Sequence, residues 1–375
     1  MQALSARPRL VRWAAPIGVV ALLAGGIGLA TRSEGAAPSL PPRTAEQLLA
    51  DVGRAEPPGM SGTVVETARL GLPALPTQGG GDLSVAGLVT GSHTARVWYA
   101  GHDRFRLAVS GSLAETDVIR DGQDLWTYES AANRATHVLL PVDKAEKAPM
   151  ATPAATPEQA ARRVLDAVTP STSVRVGRTS EVAGRAVYEL VLAPRDARSL
   201  VDSVTLAVDG GTKVPLRVQV FAKGQASPAF ETGFTEVQFR TPDASVFRFA
   251  PPPGAKVTEQ RPGTEPKAVD HGRKRAATAP AGGPGVIGSG WTSVVVARGV
   301  TTGSVTGTAK ALLQAATPVH GAFGSGRLLR SPLFSVLLTD DGRLYLGAVT
   351  PDALTAAAAQ PAAAARPLVG QGGTP

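Results

Sequence analysis

Residues 115–140 read ETDVIRDGQDLWTYESAANRATHVLL, three short runs with strand-like composition separated by two turn signals. Asp121-Gly122 favours a tight hairpin turn, because glycine adopts a positive φ without steric cost. Residues 131–134 mark the second turn. The stretch therefore predicts three consecutive antiparallel strands.

The same pattern extends outward on both sides. Phe105, Leu107 and Val109 alternate with Arg104 and Arg106, which is typical of a strand with one buried face and one solvated face. In residues 230–239 the apolar positions change face, which predicts a β-bulge near Thr235. Further strands are predicted at residues 62–70, 94–99, 173–178, 186–192, 204–208 and 216–221.

Two helices accompany these strands, so the predicted class is α+β. Thr44 and Gln47 have the spacing of a capping box and predict a helix up to about Ala55. A second helix, with proline at its first position, is predicted at residues 157–168. We expect the following organisation: 1–34, a membrane anchor or signal segment; 35–43, a linker; 44–253, the β domain; 254–290, a flexible Pro/Gly/basic linker; 291–352, a small αβ domain; 353–375, an Ala/Pro-rich tail.

The N-terminal segment predicts the compartment. Arg7, Arg9 and Arg12 precede an apolar run at residues 14–30, which as a helix would measure about 25 Å, slightly short of a hydrocarbon core about 30 Å thick. The segment is either an uncleaved anchor or a cleaved export signal, and a buried core helix is a third alternative. On the first two readings the N-terminus faces the cytoplasm of a bacterium. The bulk of the chain then lies outside the plasma membrane, or is secreted if the signal is cleaved.

Composition excludes several kinds of site. The 375 residues contain no cysteine, so disulfides, thiolate metal sites and cysteine nucleophiles are excluded. The five histidines lack metal-ligand spacing, and no Gly-x-Ser-x-Gly elbow is present. The net charge of +8 favours anionic partners, but the basic residues are too scattered for nucleic-acid recognition. We expect a protein that is not an enzyme and that needs no metal or cofactor.

The meander contains Asp121-Gly122-Gln123-Asp124-Leu125-Trp126-Thr127-Tyr128, and a later turn is followed by Val214-Pro215-Leu216-Arg217. Together with the order of the elements, these two stretches resemble the LolA/LolB-like lipoprotein-carrier superfamily. This superfamily includes RseB-type periplasmic regulators and lipid-carrying lipoproteins. The resemblance implies a strongly curved antiparallel sheet, a half-barrel, wrapped around helices, with an apolar cavity for acyl chains. RseB-type members carry a small second αβ domain, which residues 291–350 fit. The missing lipid-attachment cysteine departs from the lipidated carriers.

The resemblance implies a binder of lipid or of an acylated protein, held at the plasma membrane through residues 14–30. The alternative is an RseB-like regulator that binds the extracytoplasmic part of a membrane regulatory protein. The loop 71–91 is either a ligand gate or an insertion, and the basic run 271–275 contacts headgroups or is a solvated linker. Side chains predicted to line the cavity, or else to pack in the core, are Trp98, Phe105, Leu107, Trp126, Tyr128, Tyr188, Leu190, Leu206, Val218 and Phe230.

Overall fold

The structure is a computed structural model that describes residues 40–72, 91–111, 114–140, 170–260, 284–300, 307–361 and 366–367. Within these residues the larger domain contains one α-helix and twelve strands: α1 (Ala45–Arg54), β1 (Met60–Ala68), β2 (Thr94–Gly101), β3 (Arg104–Ser110), β4 (Glu115–Asp121), β5 (Asp124–Glu129), β6 (Arg134–Leu139), β7 (Thr172–Val182), β8 (Arg185–Pro194), β9 (Val201–Asp209), β10 (Pro215–Ala222), β11 (Phe230–Gln238) and β12 (Lys256–Gln260).

These twelve strands form one sheet in the order β12-β6-β5-β4-β3-β2-β1-β11-β10-β9-β8-β7. All neighbours are antiparallel except β6 and β12, which are parallel. Two meanders, β1–β6 and β7–β11, therefore join through the β1–β11 pair. The α+β class and the three strands within residues 115–140 are confirmed.

The β7–β11 half of the sheet is strongly curved. Strand β7 contacts β11 although three strands separate them in the sheet order. Val182, at the end of β7, belongs to the same buried cluster as Met60 of β1 and Phe234 of β11. The sheet therefore bends back on itself between β7 and β11, in agreement with the curvature that the resemblance implies.

Local sequence signals account for the ends and irregularities of these elements. The capping box of α1 is confirmed: Thr44 Oγ1 accepts from the Gln47 amide at 3.3 Å, and Gln47 Oε1 accepts from the Thr44 amide at 3.0 Å. The bulge near Thr235 is also confirmed, because Thr63 pairs with Glu236 whereas Val64 pairs with Phe234. Thr235 is the additional residue.

The smaller domain has a seven-stranded sheet in the order β15-β16-β17-β18-β14-β13-β19. Leu337, Tyr345 and Leu354 are fully buried in its core. Its elements are β13 (Gly285–Ile287), β14 (Val294–Arg298), α2 (Gly307–Ala315), β15 (Thr317–Gly321), β16 (Gly324–Arg330), β17 (Ser335–Thr339), β18 (Arg343–Gly347), α3 (Pro351–Ala358) and β19 (Arg366–Pro367).

The structure places strands where the sequence predicted a linker. Strand β12 occupies 256–260 and β13 occupies 285–287, so both ends of the predicted linker 254–290 belong to sheets. Strands β15 and β16 were not predicted, since the glycines of residues 317–330 obscure the alternation. The middle of the predicted linker, including 271–275, lies outside the described residues.

The two domains are joined by hydrogen bonds. The Leu200 amide donates to Ala348 O at 2.9 Å, and the Thr350 amide donates to Arg198 O at 2.8 Å. Trp291 Nε1 donates to Thr172 Oγ1 at 2.7 Å. The smaller domain is therefore docked on the β8–β9 loop and on the start of β7.

In the part of the chain that the structure describes, no helix combines the length and apolar character needed to span a membrane. The predicted anchor at residues 14–30, the predicted helix 157–168 and most of the loop 71–91 lie outside the described residues, so these remain predictions.

Candidate functional site

The large sheet has two faces, and strand pairing assigns residues to them. Directly paired residues on neighbouring strands share a face, as do alternate residues along a strand. On β1, Met60, Val64, Glu66 and Ala68 share one face of the sheet. We call this the inner face and the opposite one the outer face.

On the inner face, two rows of directly paired residues cross six strands from β1 to β7. Each row contains one residue from each strand, and all members are apolar except Glu66 and Thr232. The Glu66 row consists of Glu66, Thr232, Val218, Leu206, Leu190 and Val176. The Phe230 row consists of Ala68, Phe230, Val220, Val204, Leu192 and Val174.

Helix α1 covers one end of the two rows. Leu48 is fully buried in a cluster with Tyr188 and Leu190, and the surrounding half-buried residues include Leu206. The Tyr188 hydroxyl donates to Pro41 O at 2.7 Å, which fastens the start of the described chain to β8. Helix α1 therefore limits the rows at the β8 side.

The part of the Glu66 row between Glu66 and Leu206 has the length of one acyl chain. Glu66 and Leu206 are three strands apart, about 14 Å at about 4.8 Å per strand. One leaflet of a bilayer accounts for about 15 Å of a hydrocarbon core about 30 Å thick. Between these ends Thr232 is buried, whereas Val218 is half-buried, as are Val220 and Phe230 of the neighbouring row.

Glu66 closes the other end of its row with a buried carboxyl group. The residue is 1% exposed, and neither carboxyl oxygen has a hydrogen-bond partner among the described residues. Desolvation by burial raises its pKa from 4.5 to about 8. The carboxyl is therefore protonated and neutral over most of the range near pH 7.

The ends of the predicted gate loop, 71–91, are joined close to Glu66. The Ala68 amide donates to Gly91 O at 2.9 Å. Ser92 Oγ lies 3.0 Å from Glu66 O, to which it donates. The interior of the loop, residues 73–90, lies outside the described residues, so its role as a gate is still a prediction.

The residues predicted to line a cavity are divided between the two faces. Seven lie on the inner face: Phe105, Leu107, Tyr188, Leu190, Leu206, Val218 and Phe230. Three lie on the outer face: Trp98, Trp126 and Tyr128. No single cavity within one face can be lined by all ten.

The three outer residues make contacts of their own. Trp126 stacks on His137 with ring centroids 4.2 Å apart and an interplanar angle of 8°. Phe249 contacts Trp126 and Tyr128 at 5.3 and 5.6 Å. Trp98 lines a cavity of about 100 Å³ that also touches polar residues of β1, β2 and β11. Trp126 and Tyr128 thus pack against the chain that follows β11.

The side chains of Asp124, His137 and Glu259 form a cluster of titratable groups on the outer face. His137 Nε2 lies 2.7 Å from Asp124 Oδ1, and His137 Nδ1 lies 2.9 Å from Glu259 Oε2. Within the described ranges, no cluster of three or more His, Cys, Asp or Glu side chains has the arrangement of a metal site. We infer that the contacts of His137 join β12 to the β5–β6 hairpin.

Glu66 was not predicted, although the sequence contains its signal. Met60, Val64 and Ala68 share the inner face with it, so the period of two places a glutamate among apolar positions. A charged residue in the buried phase of a strand is uncommon without a partner. This conflict between position and residue type could have identified it.

Comparisons with known proteins found similar solved structures at low sequence identity. No family model matches it, and no curated protein matches it. Among solved structures, MucB in complex with MucA(peri) is similar at 17% identity and a TM-score of 0.44, over 87% of this chain and 100% of that chain. The MucA/MucB complex of Pseudomonas aeruginosa is similar at 17% identity and a TM-score of 0.42, over 87% of this chain and 99% of that one.

A LolA superfamily protein from Nitrosomonas europaea is also similar, at 14% identity and a TM-score of 0.21, over 56% of this chain and 99% of that chain. At these identities and TM-scores we transfer no residue role, ligand or partner from any of the three. The superfamily therefore stays the expectation drawn from the sequence.

Proposed function

We propose that this chain is a non-enzymatic, extracytoplasmic binding protein that holds the acyl chain of a lipid or an acylated protein against the inner face of its large sheet. The observation that carries the proposal is the pair of apolar rows, whose middle residues, Val218, Val220 and Phe230, are only half-buried. The extracytoplasmic location rests on the export-type segment at residues 14–30.

Apolar burial supplies the affinity of such a site. Each Å² of apolar surface removed from water contributes about 25 cal/mol, and ligand sites of this kind are mostly apolar with few polar groups. The rows match that description, since Glu66 and Thr232 are their only polar members. The site would therefore select for the hydrocarbon chain more than for the headgroup.

Lipid extraction from the full-length chain tests the proposal, with matched substitutions on the two faces of β10. Val218→Lys places a charge on the inner face, whereas Gln219→Lys places it on the outer face beside Glu231. We expect mass spectrometry to find acyl lipid on the native chain and on Gln219→Lys, and several-fold less on Val218→Lys. A native chain without acyl lipid, or equal loading of both variants, would contradict the proposal.

A second candidate function is regulation through an extracytoplasmic protein partner. The observation that favours it is the docking of the smaller domain on the β8–β9 loop, which presents both domains as one surface. Crosslinking of the full chain in membranes tests it. A single dominant protein adduct that persists in Val218→Lys would favour regulation, whereas adducts that vary with total protein abundance would count against it.

A further inference from the structure

Glu66 is a buried carboxyl group without a hydrogen bond to any residue that the structure describes. It is 1% exposed, and its two oxygens have no hydrogen-bond partner among the described residues. The residues beside it on the inner face, Val64 and Ala68, and its cross-strand partner Thr232 offer no cation. Buried polar groups in native proteins nearly always have partners, so an unpartnered one calls for an explanation.

The chemistry of the group limits what could satisfy it. Burial raises the pKa of Glu66 to about 8, so the carboxyl carries its proton at neutral pH. A protonated carboxyl has one O–H donor, and that donor requires an oxygen acceptor. A cationic ligand would instead require the ionised form. A ligand with a carbonyl oxygen attached to a hydrocarbon chain fits both requirements. Its carbonyl would accept a hydrogen bond from Glu66, and its hydrocarbon chain would pack against the apolar residues of the row.

We propose that Glu66 is the polar anchor of the acyl site: its carboxyl O–H donates a hydrogen bond to the carbonyl oxygen of the bound acyl group, and the hydrocarbon chain runs from there along the Glu66 row toward Leu206. The inference rests on the proposed function. It adds the orientation of the bound acyl chain: the carbonyl group lies at β1, and the methyl end points toward α1.

The two ends of the row support this direction. At the β8 end, Leu48 and Leu190 are fully buried together and are apolar, so that end suits a methyl group. At the β1 end, the carboxyl is next to the joined ends of the loop 71–91, at Ala68 and Gly91. The span of about 14 Å between Glu66 and Leu206 matches one leaflet's acyl chain of about 15 Å.

The test uses photoactivatable acyl probes on membranes that contain the full-length chain. Three probes carry the same diazirine-bearing chain as a free fatty acid, as its methyl ester and as an N-acyl lipopeptide. Labelled peptides are quantified by mass spectrometry for the native chain and for Glu66→Gln, Glu66→Leu and Glu236→Gln. Glu236 is an exposed carboxylate on β11 and serves as the matched control.

We expect Glu66→Gln, which keeps an N–H donor, to be labelled nearly as well as the native chain. Glu66→Leu should be labelled roughly three- to tenfold less, the effect of one neutral hydrogen bond. Glu236→Gln should match the native chain. If the free-acid probe labels the chain most strongly, the ligand is a fatty acid. If the ester or the lipopeptide labels it most strongly, the ligand is an acylated lipid or an acylated protein.

The labelling results that would refute the role of Glu66 differ from those that would refute the acyl site as a whole. If Glu66→Leu is labelled as strongly as the native chain, the acyl site stands and the anchor is refuted. If the native chain is not labelled by any probe, both the anchor and the proposed function are refuted. If Glu66→Gln loses labelling as fully as Glu66→Leu, hydrogen-bond donation is not the role of Glu66, and the anchor is refuted.

Discussion

Substitution of Glu66 by glutamine should abolish a pH dependence of stability that the native chain has. The ordinary carboxyl pKa of 4.5 applies to the unfolded chain, whereas burial raises the pKa to about 8 in the folded chain. Between these values the folded state holds the proton and the unfolded state does not. The folded state then binds more protons, so the free energy of unfolding falls as pH rises.

The magnitude follows from the size of the shift. Each unit of pKa difference corresponds to about 1.4 kcal/mol, so the whole interval contributes at most about 5 kcal/mol. This contribution is fully present below pH 4.5 and is lost as pH approaches 8. Between pH 5.5 and 7.5 we expect the native chain to lose about 3 kcal/mol relative to Glu66→Gln. The reason is that the side-chain amide of the Glu66→Gln variant does not titrate in this pH range.

Urea denaturation at pH 5.5, 6.5 and 7.5 measures this difference, with the unfolding of the larger domain followed through the fluorescence of Trp98 and Trp126. Glu236→Gln removes an exposed carboxylate from β11 and should follow the native chain at every pH. Groups that titrate equally in all three proteins cancel when the variants are compared. Parallel curves for the native chain and Glu66→Gln would refute the reasoning that places a neutral carboxyl in the inner face.

Three further predictions concern the framework around the site. Thr44→Ala removes the cap of α1 and should cost about 1 kcal/mol, measured by urea denaturation; an unchanged midpoint would count against the capping box. Asp209→Ala leaves the partly exposed Arg185 guanidinium without its carboxylate partner and should cost about 1.5 to 3 kcal/mol in the same assay, whereas a cost under 1 kcal/mol would show that the pair is dispensable. Trp291→Phe removes the bond to Thr172 and should raise hydrogen exchange at the start of β7, with β3 as the internal reference; unchanged exchange there would mean that the docking does not depend on this bond.

Much of the fold could be predicted because its signals are local. The Thr44–Gln47 capping box and the change of phase near Thr235 each depend on residues a few positions apart. Strand β12 could not be found in this way. Its five residues are all exposed, and its place beside β6 depends on pairing with residues more than a hundred positions earlier, held by the His137 and Glu259 contact.

The candidate site was only partly predictable for a related reason. Alternation shows which residues of one strand share a face, and it correctly groups Phe105 with Leu107. It does not show whether the apolar phase of β5 lies on the same face as that of β8, since this depends on register across seven intervening strands. Trp126 and Tyr128 were therefore grouped with Leu190 although they lie on the opposite face.

The bond between the Tyr188 hydroxyl and Pro41 O fixes where the N-terminal segment leaves the larger domain. If residues 14–30 stay in the membrane, only about ten residues separate the bilayer from that point. A fully stretched peptide of this length reaches no more than about 35 Å. The domain would then be tethered with the Leu190 end of its binding surface nearest the bilayer, so it would collect ligands from the adjacent leaflet and could not travel to a distant membrane.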